Sequence, residues 1–506
     1  MFHLDPKQAV LDHVAQKPRS KLAASGLNEL AAMVADKPVE PGYSATVVAG
    51  AAQAIECLLL ALTGVVLLTV LGSGNGLLGV VVTLSVVAVA EFIIRSVLLR
   101  RVADYRLGLE QYLKVAAGWT GAFVVVGAAV LLLDSGNSVS RNWIIAFWLT
   151  GLVVLIAYRA VLRALITRWT AEGRLRRRTV IVGGGKDAEV LIQSIQVGAR
   201  DDIELLGLFD DRNDDRSPES VASLPKLGRV AELIEFARRT RVDLVIVSMP
   251  LFAEHRVLDM LKQLWVLPVD IRLSAHMSKL KFTRKAYSYV GGVPVFDMAD
   301  RPISDWNLVL KWIFDKLVAI TALVLLSPVM IATAIAIKLE SPGPVFFRQQ
   351  RHGFNNQHIN MWKFRSMRTD MLDFDASKLV TKDDPRVTRV GRFIRKTSID
   401  ELPQLFNVLM DELSIVGPRP HALAAKAADQ LYYEAVDGYF ARHRVKPGMT
   451  GWAQIHGWRG ETDTVDKIMN RVNYDLYYIE NWSLWLDLKI VALTPLSLFT
   501  QSKNAY

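Results

Sequence analysis

The stretch TSIDELPQL, residues 397–405, sets Asp400 and Glu401 side by side at the head of an apolar run. Adjacent carboxylates can simply begin a helix. Ser398 followed three residues later by Glu401 fits a capping box, and acidic side chains in a first turn complement the helix dipole. Leu402, Leu405, Phe406 and Leu409 then recur at helical spacing as a buried face. The same pair can also serve as nucleophile, base or metal ligand, and the surrounding sequence favours chemistry on phosphate. Beyond residue 338 come SPGPVFFRQQRHG (341–353), WKFRSM (362–367), DDPRVTRVGRFIRKTSIDELPQL (383–405), VGPRP (416–420) and HRVKPGMTGWAQIHGWRGET (443–462). Arginine offers a planar fork to phosphate oxygens and lysine a compact charge. For any one of these arginines a solvated surface charge or a lipid anchor is the plainer reading. Their density among Gly and Pro turns suggests loops that hold a site.

A second motif lies upstream. TVIVGGGKDA (179–188) reads as a strand entering a glycine turn and then a helix, with Gly183, Gly185 and Ala188 at GxGxxA spacing. Such a turn lets backbone amides approach a phosphate at a helix N-terminus. Strand-like runs LLGLFDD, VDLVIVSMP and LPVDIRLS alternate with helical stretches, giving a small doubly wound, Rossmann-like α/β domain over 178–275. Asp210 and Asp211 end one of these strands at a plausible distance for ribose contact, so the unit reads as either a nucleotide-binding or a structural and regulatory fold.

Both motifs must be positioned by a chain that is 51% hydrophobic over 506 residues, which points to a membrane protein. Four apolar runs, at 55–71, 77–94, 115–133 and 143–162, each have the length of a transmembrane helix. Residues 1–50 lack a signal-peptide layout and read as a cytoplasmic tail. The loop between the second and third helices carries Arg95, Arg100, Arg101, Arg106 and Lys114, whereas the other two loops are nearly uncharged. That asymmetry places the basic loop, both termini and everything after the fourth helix in the cytoplasm. Arg159, Arg163, Arg168, Arg174 and the run 176–178 read as anchors to anionic lipid, and the net charge of +10 calls for no nucleic-acid partner. The single Cys57 excludes an intramolecular disulfide.

A fifth apolar run, 317–337, has Ser327-Pro328 at its centre, where proline removes a helix hydrogen bond and predicts a kink or break. Either it spans the bilayer as a kinked helix, which would put the polar remainder outside, or it dips into one leaflet and returns. Lys311, Lys316 and Lys338 flank both ends, as expected of ends lying at one cytoplasmic surface.

The Ser327-Pro328 break, KFRSM, SIDELPQ, VGPRP, KPGMTGWAQ and the closing YDLYYIENWSLWLDLKI (474–490) together resemble the monotopic polyprenyl-phosphate phosphoglycosyl transferases of the bacterial sugar transferase family. The resemblance covers about 200 residues. Four preceding helices and an α/β unit resemble the long form of the family, and GWRGETD with the KNAY tail resembles its undecaprenyl-phosphate glucose phosphotransferases. The resemblance implies an α-rich monotopic catalytic domain over 307–506 with a re-entrant membrane helix, behind a membrane region at 51–170 and a linker at 276–306. It implies transfer of a sugar 1-phosphate from a UDP-sugar, here UDP-glucose, to undecaprenyl phosphate, with loss of UMP. The reaction would run ping-pong through a phosphosugar on Asp400 and would start exopolysaccharide or capsule synthesis at the inner membrane.

By the same resemblance Glu401 assists as base or metal ligand, and Mg²⁺ is held by Asp400 and Glu401. Lys363, Arg365, Arg395 and Arg419 bind phosphate and nucleotide, with Asp475 a further candidate that could equally be a cap. Ser327 and Pro328 seat the domain on the inner leaflet, and the long form suggests a homodimer. One departure is His456, where relatives commonly carry Asn, in a loop that bears on sugar choice. The same chemistry on UDP-galactose or another UDP-hexose is the alternative within the enzyme class. A membrane scaffold of a polysaccharide export complex is the alternative outside it, and a nicotinamide-dependent oxidoreductase using the glycine turn is the most distant one.

Overall fold

The computed structural model describes residues 27–72, 76–97, 102–106, 108–132, 140–198, 202–212, 220–249, 254–274, 288–290, 293–368, 384–421, 426–427, 430–436, 438–458 and 464–500. Residues 1–26 of the tail, Arg100 and Arg101, most of the loops at 72–76 and 134–142, and the GET (460–462) and KNAY (503–506) signatures lie outside them. The chain divides into two compact units, Glu40–Arg176 and the rest.

After the short helix α1 (Glu29–Ala35), the first unit consists of α2 (Ala45–Leu71), α3 (Gly76–Val97), α4 (Leu109–Leu132) and α5 (Arg141–Ala171). Each is long and apolar enough to cross a membrane. Two of the four start on serine caps: Ser44 accepts from the Val47 amide and Ser140 from the Trp143 amide, satisfying donors that a helix start leaves free. Trp119, Trp143 and Phe147 fill the centre of the bundle, while Leu58, Val66, Phe92 and Val153 point outward. Arg159 corrects the lipid-anchor reading. It lies inside α5, buried, and pairs with Glu56 of α2 at 2.9 Å. Arg174 likewise pairs with Glu172 at 2.7 Å and Glu40 at 3.0 Å.

In the second unit an eight-stranded sheet has the order β3-β4-β2-β1-β5-β6-β8-β7. Its strands are β1 (Arg177–Val182), β2 (Ile203–Phe209), β3 (Ser220–Val221), β4 (Leu224–Gly228), β5 (Leu244–Val247), β6 (Asp270–Ser274), β7 (Ser288–Val290) and β8 (Val293–Ala299). The parallel part, β4-β2-β1-β5-β6, is connected through α6 (Lys186–Gly198), α7 (Val230–Arg239) and α8 (Glu254–Leu264), as the alternating pattern predicts. Two expectations change. The segment read as a linker contributes β7 and β8, which pair antiparallel onto β6 and so lengthen the sheet. The tail supplies α1, whose Ala31 and Ala35 are buried in the core of this same domain.

The C-terminal domain begins with α9 (Asp305–Glu340), helical throughout with Pro328 inside it. No interruption separates its halves; the Ser327 hydroxyl donates to the Val324 carbonyl at 2.9 Å. After α9 come the hairpin β9 (Phe346–His352) and β10 (His358–Phe364), then α10 (Arg389–Lys396) and α11 (Gln404–Leu409). A parallel pair, β11 (Ser414–Val416) with β12 (Gly448–Thr450), precedes α12 (Val465–Glu480) and α13 (Leu484–Thr500). The domain is α-rich, as expected, with short strand pairs added between its helices. Lys311 and Lys316 do not act as headgroup anchors. Lys311 is buried, 3.0 Å from Asp315 and 2.8 Å from Asp487, and Lys316 donates to the last carbonyls of α11 at Val408 and Leu409.

Candidate active site

Asp400 stands in a single 3₁₀ turn, Ile399–Glu401, between α10 and α11. The capping box does not form: Ser398 has φ 58°, makes no side-chain cap, and α11 begins only at Gln404 after Pro403. A left-handed serine costs backbone strain, and this one lies two residues before Asp400. Phe406, read as part of a buried face, is exposed, whereas Leu405 is buried. What holds the turn is Asn407, fully buried, which accepts from the Trp362 amide at 3.0 Å and donates to the Asn360 carbonyl at 2.8 Å. It ties α11 to β10, the strand that carries Lys363.

The two carboxylates differ sharply. Glu401 is gripped by the Arg419 fork, Nη2 at 2.6 Å and Nη1 at 3.2 Å, and by Lys363 Nζ at 3.2 Å. Asp400 makes no hydrogen bond or ion pair with the described residues. Burial pushes its carboxyl up to about 6; Lys363, Arg395 and Arg419 oppose that rise and the Glu401 charge adds to it. Lys363, Arg395, Arg419, Asp400 and Glu401 are therefore brought together, as the sequence predicts.

Arg419 is presented by the GPRP turn that follows β11. Gly417 and Gly448 are required there, because a Cβ on Gly417 would lie 2.5 Å from the Lys446 carbonyl and one on Gly448 2.0 Å from the Gly417 amide. The VGPRP and KPGMTG motifs are glycine-bearing because two backbones touch.

Two candidates are placed elsewhere. Arg365 is buried and donates to the carbonyls of Pro342 at 2.6 Å and Ser341 at 2.7 Å, holding the end of α9. Asp475 is buried beneath the site, paired with Arg442 at 2.6 Å, because an acidic residue on the inner face of α12 needs a cation. The sequence reading passed over Arg442 and Arg351. Burial and the neighbouring Arg419 bring Arg351 down to about 10, beside Glu401, and its only signal was a place in RQQRHG. His456 is exposed, with its ring centroid 4.1 Å from that of Trp452 and 5.1 Å from that of Tyr474, so tilted aromatic contacts accommodate the departure.

In the α/β domain the strand, glycine turn and helix form as expected. Gly183 has φ 98°, with the Ser248 carbonyl 2.7 Å from where its Cβ would be. The aspartates, however, serve the fold. Asp210 accepts from the Gly184 amide at 2.9 Å and pairs with Arg212 at 3.1 Å, and Asp211 accepts from the Val230 amide at the start of α7. The central amide of the cradle is already taken by a carboxylate, so the turn as it stands does not fit a diphosphate.

Two known families match parts of the chain. Residues 306–501 match the family described as bacterial sugar transferase, and residues 101–275 match one described as a CoA-binding domain. A UDP-glucose:undecaprenyl-phosphate glucose-1-phosphate transferase of Xanthomonas campestris pv. campestris is 37% identical over 79% of this chain and 82% of its own length. The protein of that name from Escherichia coli K12 is also 37% identical, over 77% of this chain and 81% of its own. A UDP-N-acetylgalactosamine-undecaprenyl-phosphate N-acetylgalactosaminephosphotransferase of Aeromonas hydrophila is 46% identical over 37% of this chain and 43% of its own. With similarity on that scale running well beyond the catalytic domain, the chain belongs to the bacterial sugar transferase family.

Proposed function

We propose that the protein transfers glucose 1-phosphate from UDP-glucose to undecaprenyl phosphate, giving undecaprenyl-diphosphate-glucose and UMP, as the initiating step of exopolysaccharide or capsule synthesis at the cytoplasmic face of a bacterial inner membrane. The contrast between Asp400 and Glu401 carries this reading. A carboxylate that titrates near 6 and makes no hydrogen bond with the described residues is ionised at neutral pH yet more basic than an ordinary aspartate, which suits a nucleophile. An Asp400 oxygen attacks the β-phosphorus, the bond from that phosphorus to the bridging oxygen breaks, and UMP leaves with the electron pair. A phosphate oxygen of undecaprenyl phosphate then attacks the same phosphorus and Asp400 departs, so the mechanism is ping-pong.

Lys363, Arg395 and Arg419 supply the positive charge that in-line phosphoryl transfer requires. Mg²⁺ fits the donor set. Among the described residues no cluster of three His, Cys, Asp or Glu gathers, and Mg²⁺ commonly takes one or two carboxylates with substrate phosphates completing its shell. Asp400 and Glu401 would hold it, and when bound it would neutralise charge on the transferred group.

Support for a re-entrant α9 comes from its two ends. Ala319, in the first half, shares a core with Met361 of β10, while Met330 and Ile337, in the second half, share one with Phe364 three residues along the same strand. Glu340 also accepts from the Arg389 and Val390 amides. From Ala319 to Ile337 a straight helix would run about 27 Å, whereas Met361 and Phe364 lie about 10 Å apart along one strand, which favours a bend at Pro328. The exposed Val324, Leu325, Val329 and Ile331 around Ser327-Pro328 would form the apex in the leaflet.

Glucose is favoured by the names of the long relatives; the Aeromonas relative favours a second reading, the same reaction on another UDP-hexose. The test is UMP release by detergent-purified protein with undecaprenyl phosphate, Mg²⁺ and a panel of UDP-sugars. A second measurement is the intact mass after UDP-glucose alone, where a phosphoglucosyl adduct on Asp400 is expected. Turnover without any adduct, with double-reciprocal plots that intersect, would overturn the covalent route.

A further inference from the structure

The turn Tyr439–Arg444, YFARHR, faces two ways. A 3₁₀ turn advances about 120° per residue, so side chains two apart project from different faces. On one face Arg442, completely buried, engages all its donors. Nε and Nη2 reach Asp475 at 3.1 and 2.6 Å, Nη1 meets His421 at 2.6 Å and the Tyr439 hydroxyl at 3.3 Å, and Nη2 also donates to the Arg419 carbonyl at 2.7 Å. Arg419 in turn grips Glu401.

On the other face the turn holds the α/β domain. Arg444 Nη2 donates to the Asp300 carbonyl at 3.0 Å and its guanidinium lies 4.7 Å from the Trp265 ring. Arg238 of α7 sits 5.8 Å from the Phe440 ring. The neighbouring loop adds a bond from Asn355 to the Ala237 carbonyl at 3.0 Å, and His443 meets Asn356 at 3.0 Å.

We propose that Arg442 is the positioning residue for Arg419, and that the α/β domain sets the geometry of the UDP-sugar site by holding Arg444 on the same turn. The domain then acts on the reaction with no ligand in its glycine turn. A lysine at 442 carries its three donors on one nitrogen and could serve Asp475 and the Arg419 carbonyl, but it would leave His421 and the Tyr439 hydroxyl without the Nη1 donor. This inference rests on the reading of Arg419 as part of the UDP-sugar site.

The test uses full-length protein in detergent, with UMP release measured over a range of UDP-glucose. Arg442→Met is expected to raise KM about tenfold with a smaller change in kcat, Arg442→Lys to recover part of that, and Arg444→Met to raise KM about threefold, on the scale of one to two lost hydrogen bonds. Adding Arg442→Met to Arg419→Met should change KM little further. Multiplicative effects in that double variant, or an unchanged KM in a folded Arg442→Met, overturn the positioning role. An unchanged KM in Arg444→Met overturns the role of the α/β domain. If Arg442→Met does not fold, Arg444→Met and Trp265→Ala decide. If the wild type releases no UMP from any UDP-sugar, it is the proposed function that fails. The turn is then tested by melting alone: non-additive shifts for Arg444→Met and Arg419→Met are expected, and additive shifts overturn it.

Discussion

The GGG turn of the α/β domain and the SIDE turn of the C-terminal domain each offer a chemical and a structural reading, and they differ in whether their carboxylates are already engaged. The GGG turn of the α/β domain looks like a phosphate cradle with Asp210 waiting nearby, yet Asp210 is engaged by the Gly184 amide and Arg212. The SIDE turn of the catalytic domain looks like a helix cap, yet no cap forms and Asp400 has no partner among the described residues. A motif tells which residues approach one another; whether their polar groups are already satisfied decides which site can take a substrate. Buried groups normally find partners, so a half-buried carboxylate without one, ringed by cations, marks chemistry more reliably than the glycine spacing does.

The widest separation between the two turns should come from the same substitution in each. Asp400→Asn removes the nucleophile and should lower kcat for UMP release by a factor on the order of 10⁴. Asp210→Asn should leave kcat within about twofold and instead destabilise the α/β domain by about 1–2 kcal/mol, the scale of a lost charge-assisted bond in a buried setting. A large loss of turnover in folded Asp210→Asn would mean that the glycine turn takes part in the reaction, and the contrast would be broken.

Stability should move the opposite way at Asp400. Its folded carboxyl, at about 6, titrates above the unfolded value near 4, so the folded protein binds more protons between those limits. The cost of keeping Asp400 ionised is therefore fully present above pH 6 and fades as pH falls toward 4. In chelator, Asp400→Asn should raise the melting temperature at pH 7.5, corresponding to about 3 kcal/mol, and the gain should fall to about 1 kcal/mol near pH 4.5 and vanish below pH 4. A variant that melts below wild type at pH 7.5 would show that Asp400 is engaged after all.

Much of this was legible before any coordinates. Hydropathy found all five apolar helices, because a bilayer-length run needs no tertiary context, and strand and helix alternation found the parallel sheet. The site cations Lys363, Arg395 and Arg419 lay in motifs. What escaped depends on which side of an element a group faces. Arg365 and Asp475 read as ligands because a charged residue in a motif carries no sign of its partner, and here the partners are the Ser341 and Pro342 carbonyls and Arg442. Arg159, Lys311 and Lys316 were invisible as internal ion pairs and caps for the same reason. The strands β7 and β8 escaped because short antiparallel additions at a sheet edge have weak periodicity.

The smallest effect tests the loop that bears on sugar choice. His456 lies against Trp452 and Tyr474 with tilted rings, and its Nδ1 donates to the Trp452 carbonyl, 2.9 Å away. Exposed as it is, it contributes surface packing, and His456→Asn should change stability by less than about 0.5 kcal/mol. If this position reads the hexose, the ratio of kcat/KM for UDP-glucose over UDP-galactose would still shift, because discrimination depends on a single hydroxyl contact and not on the stability of the loop. We expect that ratio to stay within about twofold, since the ring's contacts among the described residues are with Trp452 and Tyr474. A larger shift would place sugar recognition at the aromatic loop, away from the cation ring around Asp400.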